Sequence, residues 1–217
     1  MLSTLVLPIT ADGAPRLPLP SPVPMNWLAH LRLAPNAPLL RLGNLCGDFV
    51  RGVDLATLHP ELQRGIAQHR AIDRFVDAHP IVRRSRQRLD PHCRRFAGVF
   101  VDVFFDHFLA RDWSQLGEGG TLAEFVAAMH ALLLEHALLL PPRLQHVLPW
   151  MQRETWLTSY ARLDGIDAVL QRMARRVARP TPLGDGVQQL RAHYRDLGCD
   201  FAAFWPELVT FVRSAPR

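Results

Sequence analysis

Three pairs of potential ligands recur in this chain at a spacing of four residues: Asn26 with His30, His69 with Asp73, and Asp102 with Asp106. Side chains four apart on a helix lie one above the other, so each pair can address a single point in space. Asp48 stands alone in a small-residue setting, Gly43-Asn44-Leu45-Cys46-Gly47-Asp48, and His107 directly follows Asp106. Carboxylates mixed with imidazoles suit manganese, magnesium or iron. A thiolate-rich zinc site has no support, because Cys46, Cys93 and Cys199 are far apart and form no Cys-x-x-Cys spacing.

The strongest local argument lies in Phe96-Ala97-Gly98-Val99-Phe100-Val101-Asp102-Val103-Phe104-Phe105-Asp106-His107-Phe108-Leu109, which is apolar nearly all round. Such a helix belongs in an interior and carries Asp102 and Asp106 with it. A buried, unpartnered carboxylate costs several kcal/mol or takes up a proton, so something must compensate these two. One candidate is a divalent cation held by both acids with help from histidine; the other is an ion pair with Arg70 or Arg74. Adding His30, Asp48, His69 and Asp73 favours the cation. Asp77 reads as an exposed acid near a helix end. His79, His92, His130, His136, His146 and His193 show no partner pattern and read as structural.

The elements that must position these residues are helices, and no convincing alternating strand appears. A first short helix is expected near Asn26–Leu33, a second from Gly43-Asn44 through Asp48 to about Gly52, and a third from Pro60 to Ala78, closed by Pro80. Asp90-Pro91 supplies a cap followed by proline, which launches a long helix through Arg111. Thr121 with Glu124 forms a capping-box pattern for a helix over 121–138. Further helices fit 141–160, 164–178 and 187–211. Residues 1–24 are dense in proline and read as an extension ahead of a single compact all-α domain, 25–217.

Composition bounds the class. A chain of 217 residues, 48% hydrophobic and 21% charged, can bury a substantial core and is not disordered. Its apolar runs, broken by Glu135 and His136, are too short for a membrane span, and an odd cysteine count fits a reducing cytoplasm. All 25 basic residues are arginine, so the net charge of +5 is weak evidence for nucleic acid, and no aromatic platform accompanies it. Guanidinium groups do pair well with carboxylates and phosphates, which fits an acidic or phosphorylated partner.

Four ordered blocks carry a more specific signal. They are Met25-Asn26-Trp27-Leu28-Ala29-His30-Leu31, Gly43 to Gly52, His69-Arg70-Ala71-Ile72-Asp73-Arg74-Phe75-Val76-Asp77, and Asp102 to Trp113. Together with Trp156-Leu157-Thr158-Ser159-Tyr160 they resemble the acyl carrier protein phosphodiesterase family. The resemblance implies a helical body distantly similar to the HD-domain phosphohydrolases and a divalent metal, typically manganese. It also implies hydrolysis of the phosphodiester joining 4′-phosphopantetheine to a serine of holo acyl carrier protein. Asp48 is the position expected to be essential. The chain departs from the family pattern in its N-terminal extension and in Cys46, and neither departure removes a candidate ligand.

On this reading His30, Asp48, His69, Asp102 and Asp106 surround the metal, and Asp48, His69, Asp73 and His107 take catalytic, orienting or proton-carrying roles. Arg70 or Arg74 would hold a phosphate oxygen. Arg83, Arg84 and Arg86 would meet the acidic carrier protein, or else form a solvated basic connection between helices. The rivals are a metal phosphohydrolase acting on nucleotides or another small phosphodiester, and a non-catalytic helical module whose acids only form ion pairs.

Overall fold

The structure is a computed structural model that describes residues 27–153, 157–177 and 179–214. The proline-rich segment 1–24 and Asn26 lie outside the described residues. Within them the fold is all-helical, with no strand. Eleven α-helices run in the order α1 (Trp27–Leu33), α2 (Pro38–Cys46), α3 (Pro60–Ala78), α4 (Pro80–Arg88), α5 (Ala97–Arg111), α6 (Trp113–Leu116), α7 (Leu122–Glu135), α8 (Pro142–Arg153), α9 (Leu163–Arg176), α10 (Gly186–Ala192) and α11 (Tyr194–Ser214). No helix among them is long and apolar enough to cross a membrane.

Helix α5 is the axle. All its residues from Val99 to Ala110 are buried, and α1, α4, α9 and α11 pack around it. The aromatic side chains Phe100, Phe104 and Phe108 are fully buried in its core. The nearly all-apolar sequence thus does what its pattern predicts.

Helices α2 and α3 form the most extensive pair, and two glycines explain how close they come. A Cβ on Gly43 would sit 2.5 Å from the Leu62 carbonyl oxygen and 2.8 Å from the Gly65 Cα. A Cβ on Gly65 would in turn run into the Leu40 carbonyl and the Gly43 Cα. Only a residue without a side chain permits this backbone-to-backbone approach. It places the end of α2 directly against the middle of α3.

Several boundaries differ from the sequence expectation, each for a local reason. Helix α2 begins at Pro38, which occupies the favoured first-turn position, and gives way after Cys46 to a 3₁₀ turn, Gly47–Phe49, that carries Asp48. Pro80 ends α3 as expected but also starts α4, because His79 caps the new helix by accepting the Ile81 N–H at 3.3 Å. The arginine-rich stretch is therefore a helix and not a connection. Residues Pro91–Phe96 form a 3₁₀ segment ahead of α5. The Thr121–Glu124 capping box forms reciprocally, with Glu124 N–H to Thr121 Oγ1 at 3.1 Å and Thr121 N–H to Glu124 Oε2 at 2.7 Å. The final expected helix is two, α10 and α11, broken at His193.

Candidate active site

His69 is the centre of the site. It projects from α3, and its Nδ1 lies 2.8 Å from the backbone oxygen of Asn44 at the end of α2. A carbonyl only accepts, so Nδ1 carries the proton and Nε2 faces the other way. There it meets Asp73 Oδ2 at 3.0 Å, from the same helix face, and Asp48 Oδ1 at 3.5 Å, from the 3₁₀ turn. The imidazole lies against Gly47. A Cβ there would stand 2.6 Å from Nε2 and would strike the ring carbons as well. Gly47 has ordinary right-handed helical backbone angles, so only the ring forbids a side chain. A Gly47→Ala protein is expected to keep its helicity by circular dichroism and to bind manganese at least about tenfold more weakly. Unchanged affinity would mean that the ring has another seat.

His30 completes the cluster from α1. Its ring stacks on His69 with centroids 4.0 Å apart, and its Nε2 donates to Asp73 Oδ1 at 3.2 Å. The ligand atoms of His30, His69 and Asp73 all lie within 4.8 Å of one another, the one such group among the described residues. Asp48 stands a step outside that group, touching it through His69, and its Oδ2 accepts the Trp27 indole N–H at 2.6 Å.

The electrostatics follow from this crowding. Burial works against charge on His69, but the hydrogen bonds to Asp48 and Asp73 prevail and raise its pKa to about 10. Burial would raise Asp73, yet the two histidines hold its carboxyl well below the usual range. His30 is lowered, first by burial and then by the neighbouring His69. Without a metal the cluster is an imidazolium held between two carboxylates. A His69 proton there occupies the place a cation can take, since Nε2 and the carboxylate oxygens are all lone-pair donors once it leaves.

The other predicted residues divide. Asp102, on α5, is 8% exposed and has no hydrogen-bond partner among the described residues. Burial pushes its pKa up to about 8; Arg86 opposes the shift, and the charges of Asp73, Asp77 and Asp48 add to it. The leading cation acting on Asp102 is Arg86, which pairs with Asp77 at 2.6 Å. Asp106 accepts the backbone N–H groups of Leu28 at 2.9 Å and Ala29 at 3.0 Å, one on each oxygen, and is not among the three residues whose ligand atoms converge. Burial drives its pKa well up, against those two bonds.

His107 is not brought to the cluster. Its Nδ1 donates to the Tyr160 carbonyl at 2.7 Å, and its Nε2 accepts from the Tyr194 hydroxyl at 2.9 Å. Arg84 grips the buried Asp200 at 2.6 Å together with Ser85 and Arg88, which ties α4 to α11. Arg83 is exposed and, among the described residues, reaches only the Ala78 carbonyl, at 3.5 Å. Arg70 and Arg74 are exposed on α3 beside His69 and Asp73, with no ion pair among the described residues.

Sequence reasoning missed the Asn44 carbonyl, the Trp27 indole and the Gly47 cradle. Their proximity to Asp48 in the Gly43–Asp48 block and the first block was the available signal.

An all-helical body with a buried His/His/Asp cluster, flanked by a further carboxylate and by free arginines, has the donor set of a divalent-metal site. Comparison with known proteins makes this more particular. The family model for acyl carrier protein phosphodiesterase matches residues 25–208, and the chain belongs to that family. It is similar to the acyl carrier protein phosphodiesterase of Yersinia enterocolitica, 38% identical over 86% of this chain and 96% of that one. Those of Shigella boydii serotype 4 and Escherichia coli O157:H7 are each 39% identical over 85% of this chain and 96% of theirs. No solved structure is significantly similar.

Proposed function

We propose that this chain is a metal-dependent phosphodiesterase that cleaves the 4′-phosphopantetheine–serine phosphodiester of holo acyl carrier protein. Family membership supplies the substrate class. The single observation that carries the metal dependence is His69, locked by Asn44 so that Nε2 faces Asp48 and Asp73. Metal-bound imidazoles characteristically donate their second N–H to a carbonyl in this way.

The ion would be held by His30, His69 and Asp73, with Asp48 adjacent, and the mixed nitrogen and oxygen set suits manganese, with magnesium or iron as alternatives. When bound, such an ion supplies Lewis-acid polarisation of the phosphoryl group and a water of lowered pKa. In the overall reaction a water oxygen bonds to phosphorus, the phosphorus–serine oxygen bond breaks, and the serine oxygen takes a proton. Burial raises the Asp102 carboxyl to about 8 in the metal-free protein, which suits it to a proton-donating role and not to a further negative charge. The three free cysteines fit a reducing cytoplasm.

Arg70 and Arg74, exposed on α3 next to His69 and Asp73 and without an ion pair among the described residues, are the cations we assign to meet a phosphate or an acidic carrier protein. Reversing both to glutamate should raise KM for the carrier about tenfold or more at low salt, with a smaller effect at high salt. Reversing Arg84 should instead lower the melting temperature, because it removes a partner from buried Asp200. A double reversal at 70 and 74 that leaves KM and its salt dependence untouched would place docking elsewhere.

The reaction itself is tested by mass spectrometry of holo acyl carrier protein incubated with this protein and manganese, with chelator as control. Conversion to the apo mass only with metal is the expected result. A holo mass that persists across metals and carriers would overturn the assignment.

A further inference from the structure

The two histidines of the cluster are held in different ways. His69 is oriented from behind by the Asn44 carbonyl. His30 has no such support: its Nδ1 is buried without a hydrogen-bond partner among the described residues. A ligand histidine lacking that second bond must take its orientation from its backbone.

That backbone is α1, a helix of seven residues, too short to hold itself in water. Its first N–H groups need acceptors from outside the helix. Asp106, fully buried on α5, provides one oxygen to Leu28 N–H and the other to Ala29 N–H, and Ala29 immediately precedes His30. Both carboxylate oxygens are thereby engaged on α1.

We infer that Asp106 is not a metal ligand but a positioning residue, which seats α1 and through it fixes the His30 imidazole against His69. Asn at this position keeps the shape but turns one acceptor into an NH₂ group facing a backbone N–H. The inference rests on the metal-site reading above for its consequence in binding, and stands without it for its consequence in geometry.

The experiment is a coupling measurement in the full chain. Manganese affinity is read from the electron paramagnetic resonance signal of free Mn²⁺, on proteins shown to be folded by circular dichroism. Asp106→Asn alone should weaken binding roughly tenfold to a hundredfold. In a His30→Ala background it should add less than about twofold, while in an Asp48→Ala background it should keep its full factor. A loss that persists in the His30→Ala background would make Asp106 a ligand in its own right and overturn the proposal. So would a lowered melting temperature with unchanged affinity of the folded protein.

The metal-free protein gives the second reading, by imidazole ¹⁵N NMR. Asp106→Asn should shift the His30 ring signals and leave the His69 Nδ1 proton in its hydrogen bond. If the parent binds no manganese, the metal-site reading fails, and this spectrum alone decides the role of Asp106. Unmoved His30 signals would refute it.

Discussion

A His69→Ala protein is expected to fold, to lose measurable manganese binding, and to turn over holo acyl carrier protein at least about a thousandfold more slowly. The reason is position. His69 touches every other member of the cluster: Asp73, Asp48, the ring of His30 and the Asn44 carbonyl. Losing a Lewis acid costs several kcal/mol of transition-state stabilisation, and each ~1.4 kcal/mol is a factor of ten in rate. Asp48→Ala should lose nearly as much turnover while keeping a weakened manganese site, since Asp48 faces Nε2 but stands outside the His30, His69 and Asp73 group. Stopped assays with carrier protein, beside metal titrations, check both. A metal-replete His69→Ala protein with near-parental turnover would refute the assignment of the site.

Asp102→Asn should act oppositely on stability and activity. The Asp102 carboxyl rises from its ordinary 3.8 to about 8 on folding, through burial. Below pH 3.8 both states hold the proton and nothing is lost. Between about pH 4 and 8 the unfolded chain releases the proton while the folded chain keeps it, so stability falls as pH rises and levels off above that window. Asparagine cannot ionise and escapes this penalty. The metal-free variant should match the parent near pH 4 and exceed it by on the order of 3–5 kcal/mol at pH 8, while its activity drops. His69, raised from 6.5 to about 10, also loses stabilisation as pH rises through that range, but parent and variant share that slope. Urea unfolding at several pH values measures the gap; parallel curves would show that Asp102 is ionised in the fold.

Much of the scaffold was legible because its signals are local. The proline at 80 stops α3, the Thr121–Glu124 pair starts α7, and an apolar run of that length has to be an interior helix. The His69–Asp73 pair was legible for the same reason, since i, i+4 geometry within one helix fixes it. The orientation of residues on α5 was not. A helix buried on all sides has no polar stripe to show which acid faces which neighbour, so Asp102 and Asp106 read alike as ligands, with His107 as a catalytic neighbour, and each meets different partners. Nor could the sequence reveal the Asn44 carbonyl, because every residue has one. The arginine whose charge acts on Asp102 was misplaced because α4, read as a connection, carries Arg86 past Gly98 on α5.

Helix α1 is fastened at both ends by distant partners. Asp106 holds its start across 77 and 78 residues of chain, and Arg32 near its end donates to the Leu116 carbonyl at 2.7 Å across 84. Contacts of such long range close only after the intervening chain is in place, whereas Asn44, Asp48, His69 and Asp73 come together within one compact helix pair. Assembly of the site is therefore expected to be ordered, with His30 the last to arrive. A nascent chain still short of α5 offers a passing ion an incomplete cage, and full grip comes with the finished fold.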